Sequence, residues 1–322
     1  MHIPDGFLDA RTCAGAFCLA GAGLGWAGRE VTARWSDQTV PMLGVMSAFV
    51  FAGQMVNFPV AGGTSGHLLG GVLAAAFLGP WAAAMVLTTV LAVQCFFFQD
   101  GGVTALGANV LNLAIIGTWS GYAVYHLLGR VAKSERGRFA ALAVAAWFSV
   151  VIASLAAAAE LVLSGRVSWK LVVPAMGLTH AVIGVGEAFI TVAVVSFVSK
   201  VRPDLIHRPG AIAGVTPSRT IVGYGLLASL GVVLLLAPLA SAFPDGLEEV
   251  AERLGFAGQV AEPMSAPLPD YAVGGVGSSA LSTILAGSIG TLLVFGAGWA
   301  LARLAQRFSR RSREVTPQPD AS

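Results

Sequence analysis

The chain has 322 residues, 56% of them hydrophobic and 11% charged, with a formal net charge of +2. An ordinary soluble domain is about 25% charged, so this composition excludes a soluble fold, and so small a net charge gives no case for nucleic acid. Apolar runs of membrane-spanning length recur along it, which marks an all-α integral membrane protein surrounded by lipid.

The chain opens on Met1-His2-Ile3-Pro4-Asp5-Gly6-Phe7-Leu8, a short polar stretch ahead of any apolar run. A cleaved signal peptide begins with a basic region. Here Asp5 and Asp9 precede the first apolar run, and Arg11 is the only basic residue before it. The segment is therefore expected to stay, and the bulk of His2 to disfavour removal of Met1. Apolar runs then read as membrane helices at 10–27, 39–56, 67–79, 80–98, 105–128, 139–163, 171–199, 220–240 and 280–302. The third is short, with a glycine-rich loop before it and the helix-breaking pair Gly79-Pro80 after it. It is expected to be a tilted or partial crossing. Cys13, Cys18 and Cys95 fall within apolar runs with no CxxC pair, and read as packing residues.

Nine crossings put the termini on opposite sides. With the N-terminus outside, the inner loops are 28–38, 129–138, 200–219 and 303–322, and they hold 15 of the 19 Lys and Arg residues. Short cytoplasmic loops collect Lys and Arg, so the expected orientation is N-terminus outside, C-terminus cytoplasmic. The basic, proline-containing stretch 201–219 reads as a cytoplasmic linker. It divides a seven-span core, residues 1–200, from a two-span module, residues 220–305. That module carries an outer loop in which Pro244-Asp245-Gly246 turns into a short amphipathic helix ending at Gly255. Residues 306–322 form a basic, then polar, tail.

Two histidines stand out. An α-amine followed by a histidine in second position can chelate. The amine nitrogen of Met1, the deprotonated amide nitrogen of His2 and the His2 imidazole Nδ1 fill three corners of a square. Only a strongly polarising ion with a tetragonal preference deprotonates an amide, which suits Ni(II) or Cu(II) and not Mg(II) or Ca(II). The fourth corner needs another neutral nitrogen. His67, in Gly62-Gly63-Thr64-Ser65-Gly66-His67-Leu68-Leu69-Gly70-Gly71, can supply it on the same side of the membrane. Pro4 stiffens the exit and Asp5-Gly6 turns the chain back. Taken singly, His2 reads equally as part of a frayed terminus, and His67 as a hydrogen-bonded core residue. Asn57 and Thr64 or Ser65 could orient His67 or hold the N-terminal strand. His180 and Glu187, seven apart on one helix face, read either as outer contacts or pathway for a metal or as an interhelical clamp.

At these residues the sequence resembles the CbiM/NikM family, the cobalt/nickel substrate-binding membrane components of energy-coupling factor transporters. The resemblance rests on Met1 to Leu8, on Gly63-Thr64-Ser65-Gly66-His67-Leu68-Leu69-Gly70 and on His180 to Glu187, and covers about residues 1–200. The second module is similar to the small CbiN/NikN-type component, with Pro244-Asp245-Gly246-Leu247-Glu248 matching the PDGLE signature. The resemblance implies uptake of Ni(II) or Co(II) as substrate, with no permanently bound cofactor. It implies ligation by the Met1 amine, the His2 amide and imidazole, and the His67 imidazole. It also implies a prokaryotic cell (inner) membrane location and partnership with a CbiQ/NikQ-like coupling subunit and two CbiO/NikO-like ATPases. Ile-Pro-Asp after His2 looks more like nickel members. The chain has no GxxxxGK[ST] phosphate loop, so ATP chemistry belongs to partners. An intramembrane metalloprotease would want HExxH, which the spacing of His180 and Glu187 does not provide. A stand-alone secondary transporter or channel is the alternative, though the halves show no clear repeat.

Overall fold

The computed structural model describes residues 1–33, 39–207, 219–261 and 264–315. Residues 34–38 of the first inner loop, 208–218 of the linker, 262–263 of the outer loop and the tail beyond 315 lie outside the described residues. Segment 1–9 leads into α1 (Ala10–Ala33) and α2 (Thr39–Gln54), then a hairpin of β1 (Phe58–Val60) and β2 (Thr64–Gly66). The hairpin is antiparallel, pairing Phe58 with Gly66 and Val60 with Thr64. Its turn needs Gly62 and Gly63, both at positive φ (95° and 81°).

Next come α3 (Gly71–Leu78), α4 (Pro80–Val93, running on as a π turn Gln94–Phe98), α5 (Leu106–Asn109, running on as a π segment to Gly117), α6 (Thr118–Val131), α7 (Glu135–Leu163) and α8 (Trp169–Val201). The second module adds α9 (Arg219–Leu236), α10 (Gly246–Leu254) and α11 (Ser279–Val315). Among the described residues five helices are long and apolar enough to cross a membrane: Pro80–Phe98, Glu135–Leu163, Trp169–Val201, Arg219–Leu239 and Ser279–Arg307. Val40–Gln54 is a shorter apolar helix. α8 turns Leu178, Val185, Phe189 and Phe197 outward, an apolar face suited to lipid. α4 runs through the middle of the bundle, almost wholly buried.

The short third run has a specific form. α3 has 8 residues, about 12 Å of helix at 1.5 Å per residue, too short to cross a hydrocarbon core of about 30 Å alone. It begins beside Glu187 on α8, whose carboxylate accepts the Leu69 and Gly70 N–H groups at 2.6 and 2.9 Å. It ends where the Ala76 carbonyl accepts the His207 N–H at 2.8 Å, beyond the far end of α8. Glu187 and Val201 are 14 residues apart on one helix, about 21 Å. The stretch 67–79 is thus extended chain followed by a half-helix. Backbone groups that leave a helix at this depth need internal partners, and Glu187 satisfies two of them at the positive end of α3. Gly79, at φ 79°, then turns the chain, and Pro80 starts α4.

Candidate metal centre

Segment 1–9 is folded back into one end of the bundle and locked there. Ile3 is fully buried. Asn109 treats it as a strand partner: its Oδ1 accepts the Ile3 N–H at 2.7 Å and its Nδ2 donates to the Ile3 carbonyl at 3.0 Å. The Gly102 N–H donates to the same carbonyl at 2.9 Å. The Asp5 carboxylate accepts the Val103 and Thr104 N–H groups at 2.9 and 2.7 Å, and the Thr104 hydroxyl. A Cβ at Gly102 would strike the Asp5 backbone and carboxyl, so only glycine lets the two chains approach this closely. From the second module the Ala261 N–H donates to the Asp5 carbonyl at 2.8 Å.

This clamp carries the Met1 nitrogen to 2.8 Å from His67 Nε2. His67 Nδ1 lies 3.0 Å from the Leu68 carbonyl, which can only accept. The ring proton is therefore on Nδ1 and the Nε2 lone pair is free to face the amine. Burial, followed by the charge of the Met1 ammonium and of His2, pushes the His67 pKa down to about 3, so this imidazole is neutral at ordinary pH. With metal–nitrogen bonds of about 2.0 Å, two ligands at a right angle stand about 2.8 Å apart. The amine and His67 Nε2 already have that separation.

His2 lies beside them, its ring centroid 5.2 Å from that of His67. Its Nδ1 is 2.5 Å from Asp100 Oδ1, and its Nε2 is buried without a hydrogen-bond partner among the described residues. Asp100 Oδ2 accepts the Tyr271 hydroxyl at 2.5 Å. Burial works to raise the Asp100 pKa, but the His2 imidazole beside it outweighs that and holds the carboxyl well below the usual range. Asp245 forms an ion pair with the Met1 ammonium. Burial opposes its charge too, and the ammonium more than compensates, so Asp245 also stays ionised far below its ordinary value. Among the described residues no three His, Cys, Asp or Glu side chains converge to hold a metal ion. A metal here must draw on the terminal amine and backbone amide as well.

The remaining sequence candidates spread around this point. Thr64 and Ser65 grip the second module rather than His67 or the N-terminal strand. The Thr64 hydroxyl donates to the Pro244 carbonyl at 3.1 Å, the Ser65 N–H to Pro244 at 2.8 Å and the Ser65 hydroxyl to the Phe243 carbonyl at 2.8 Å. Asn57 meets that module through its backbone carbonyl, which accepts the Ser241 N–H at 2.8 Å. His180 and Glu187 share a buried face of α8, as their spacing predicts. Glu187 holds the chain just after His67. His180 donates from Nδ1 to the Met176 carbonyl at 2.9 Å, and a Cβ on Gly246 would stand 3.0 Å from its Nε2. Asp100, Asn109, Asp245 and Tyr271 belong to the surroundings of the centre and were not singled out for it by sequence.

Residues 2–205 match the family described as the cobalt uptake substrate-specific transmembrane region, CbiM, and residues 219–307 match the PDGLE domain. The chain is 36% identical over 318 residues to a protein of Archaeoglobus fulgidus assigned by name to the fused nickel transport proteins NikMN, covering 95% of this chain and 99% of that one. It is 32% identical over 352 residues to the fused nickel transport protein NikMN of Rhodobacter capsulatus, covering 97% and 100%. The crystal structure of a truncated transition metal transporter superposes with a TM-score of 0.57 at 34% identity, over 62% of this chain and 99% of that chain.

Proposed function

This chain belongs to the CbiM family of cobalt uptake substrate-specific transmembrane proteins, with a PDGLE domain joined to it, and we propose on that premise that it is the metal-capturing membrane component of an ATP-driven nickel or cobalt importer. The observation that carries the reading is the pair of nitrogens at the buried end of the N-terminal segment, the Met1 amine and His67 Nε2, 2.8 Å apart. The His2 amide nitrogen is the next nitrogen along the backbone, placed to close a five-membered chelate ring with the amine. The His2 imidazole completes a square of four nitrogens when its ring turns so that Nδ1 leaves Asp100. Such a square favours Ni(II), and Co(II) within the same class, over ions that prefer oxygen. The names of the fused nickel relatives and the Ile3-Pro4-Asp5 sequence after His2 lean the same way.

The distribution of Lys and Arg supports an outer-side position for the centre, where incoming metal arrives, and the family resemblance supports a prokaryotic cell membrane. The chain has no phosphate-binding loop of the GxxxxGK[ST] type. Its energy therefore comes from partners, a CbiQ/NikQ-like coupling subunit and two CbiO/NikO-like ATPases. Replacing His2 or His67 by Ala abolishes tight Ni(II) and Co(II) binding by the purified chain and leaves membrane insertion intact. Near-native affinity in either variant contradicts the assignment. Uptake that persists in cells lacking every partner ATPase would instead identify a stand-alone transporter or channel.

A further inference from the structure

The turn Pro244-Asp245-Gly246 belongs to the second module, yet it touches both halves of the metal centre. Its Pro244 carbonyl accepts the Ser65 N–H at 2.8 Å, two residues before His67. Its Asp245 side chain divides its two oxygens. Oδ2 takes the Met1 amine, while Oδ1 accepts the Leu247 and Glu248 N–H groups at 2.7 and 3.0 Å and so caps α10. Glu248 closes the capping box by accepting the Asp245 N–H at 2.9 Å. The capped helix is anchored in turn, with Leu247, Val250 and Ala251 buried. The carboxylate is therefore aimed by a rigid element, with one oxygen left for the amine.

A chain-terminal amine has no preceding peptide to fix it. Among the described residues its hydrogen-bond partners are His67 Nε2 and Asp245. A metal takes the amine's lone pair and leaves two N–H bonds, so the contact with Asp245 survives loading. His67 by contrast exchanges its contact with the amine for the metal.

We propose that Asp245 is a positioning residue of the metal centre: it fixes the Met1 amine at the ligand separation from His67, so that the second module is part of the site and sets its affinity. This rests on the assignment of Met1 and His67 as ligands. Loss of a group that orients a metal ligand typically weakens affinity by about 10–100-fold.

The test uses the full chain with an unextended N-terminus. Ni(II) affinity is measured by competition against a chromophoric chelator, and the d–d absorption band of the bound ion is recorded. Asp245→Ser keeps a helix-capping oxygen but is too short to hold the amine. Asp245→Asn keeps the capping oxygen but turns an NH₂ donor toward the amine. Glu248→Ala loosens the capping box but leaves the Asp245 carboxylate and its contact with the amine in place. The expected result is a loss of about 10–100-fold with a shifted band in both Asp245→Ser and Asp245→Asn, and a clearly smaller loss in Glu248→Ala. Native affinity and an unshifted band in Asp245→Ser, or an equal loss in Glu248→Ala, would overturn the proposal and leave Asp245 as a helix cap only. His67→Ala runs alongside: if it binds as tightly as the native chain, the ligand assignment itself fails, whatever the Asp245 variants do.

Discussion

Asn109→Ala tests whether the clamp on segment 1–9 sets metal affinity. Asn109 supplies the Ile3 N–H with an acceptor at 2.7 Å and its carbonyl with a donor at 3.0 Å. Truncation leaves the carbonyl with Gly102 N–H at 2.9 Å, but strands the N–H in a fully buried place. An unsatisfied buried donor costs about 1–3 kcal/mol. If only the docked segment binds metal and docking is marginal without it, that cost lowers the docked population and the apparent affinity together, by a factor of up to roughly 5–150. The assay is Ni(II) competition titration of the purified chain, with Asn112→Ala as the comparison. Asn112 lies three residues on and donates to Glu160 at 2.6 Å, with no bond to the N-terminal segment. Its loss should lower the melting temperature and leave affinity alone. Affinity within about twofold of native in Asn109→Ala, or an equal fall in both variants, refutes the argument that docking limits binding.

Glu187→Gln should weaken both stability and metal binding. A Gln carbonyl can accept one of the Leu69 and Gly70 N–H groups, while its NH₂ opposes the other, a penalty of about 1–3 kcal/mol for the stranded buried group. Amide exchange at Leu69 and Gly70 should quicken, and unchanged exchange would remove Glu187 as the anchor of α3. Cutting the chain at about residue 210 should leave the four nitrogens in place but free the amine from Asp245. Metal should still bind, with affinity lower by about 10–100-fold, and cellular uptake should fall further. A core with no measurable binding would show that the division into two modules is wrong.

Much of the fold was legible because apolar runs report helices locally, and Gly79-Pro80 marks a break that needs no distant information. The meeting of Met1 with His67 was legible for a chemical reason: both sit in polar, glycine-tolerant breaks on one side of an otherwise apolar chain. The hairpin at Phe58 to Gly66 was read as a loop, since strands of three residues are too short to show alternation. Glu187 was visible as a buried charge, but the seven-residue spacing from His180 says nothing of what either faces. One holds α3 and the other lies under Gly246. Asn109, Asp100, Tyr271 and Asp245 escaped because each acts on a residue about 100 or more positions away in the sequence. Helical periodicity carries no information at that range.

The most direct measurement compares two chains that differ only in whether the Met1 amine is free or acetylated. The free and the acetylated chain, in that order, are titrated with Ni(II), Co(II), Cu(II) and Zn(II) in competition, after mass spectrometry has established each N-terminus. Acetylation turns the Met1 amine into an amide, removes the ion pair with Asp245 and supplies no new amine, whereas an added residue would put His2 third in the chain and build a four-nitrogen chelate of its own. The account predicts tight Ni(II) or Co(II) binding by the first chain and its loss in the second, with both equally stable in the membrane. Equal affinity in the two chains would contradict ligation by the Met1 amine.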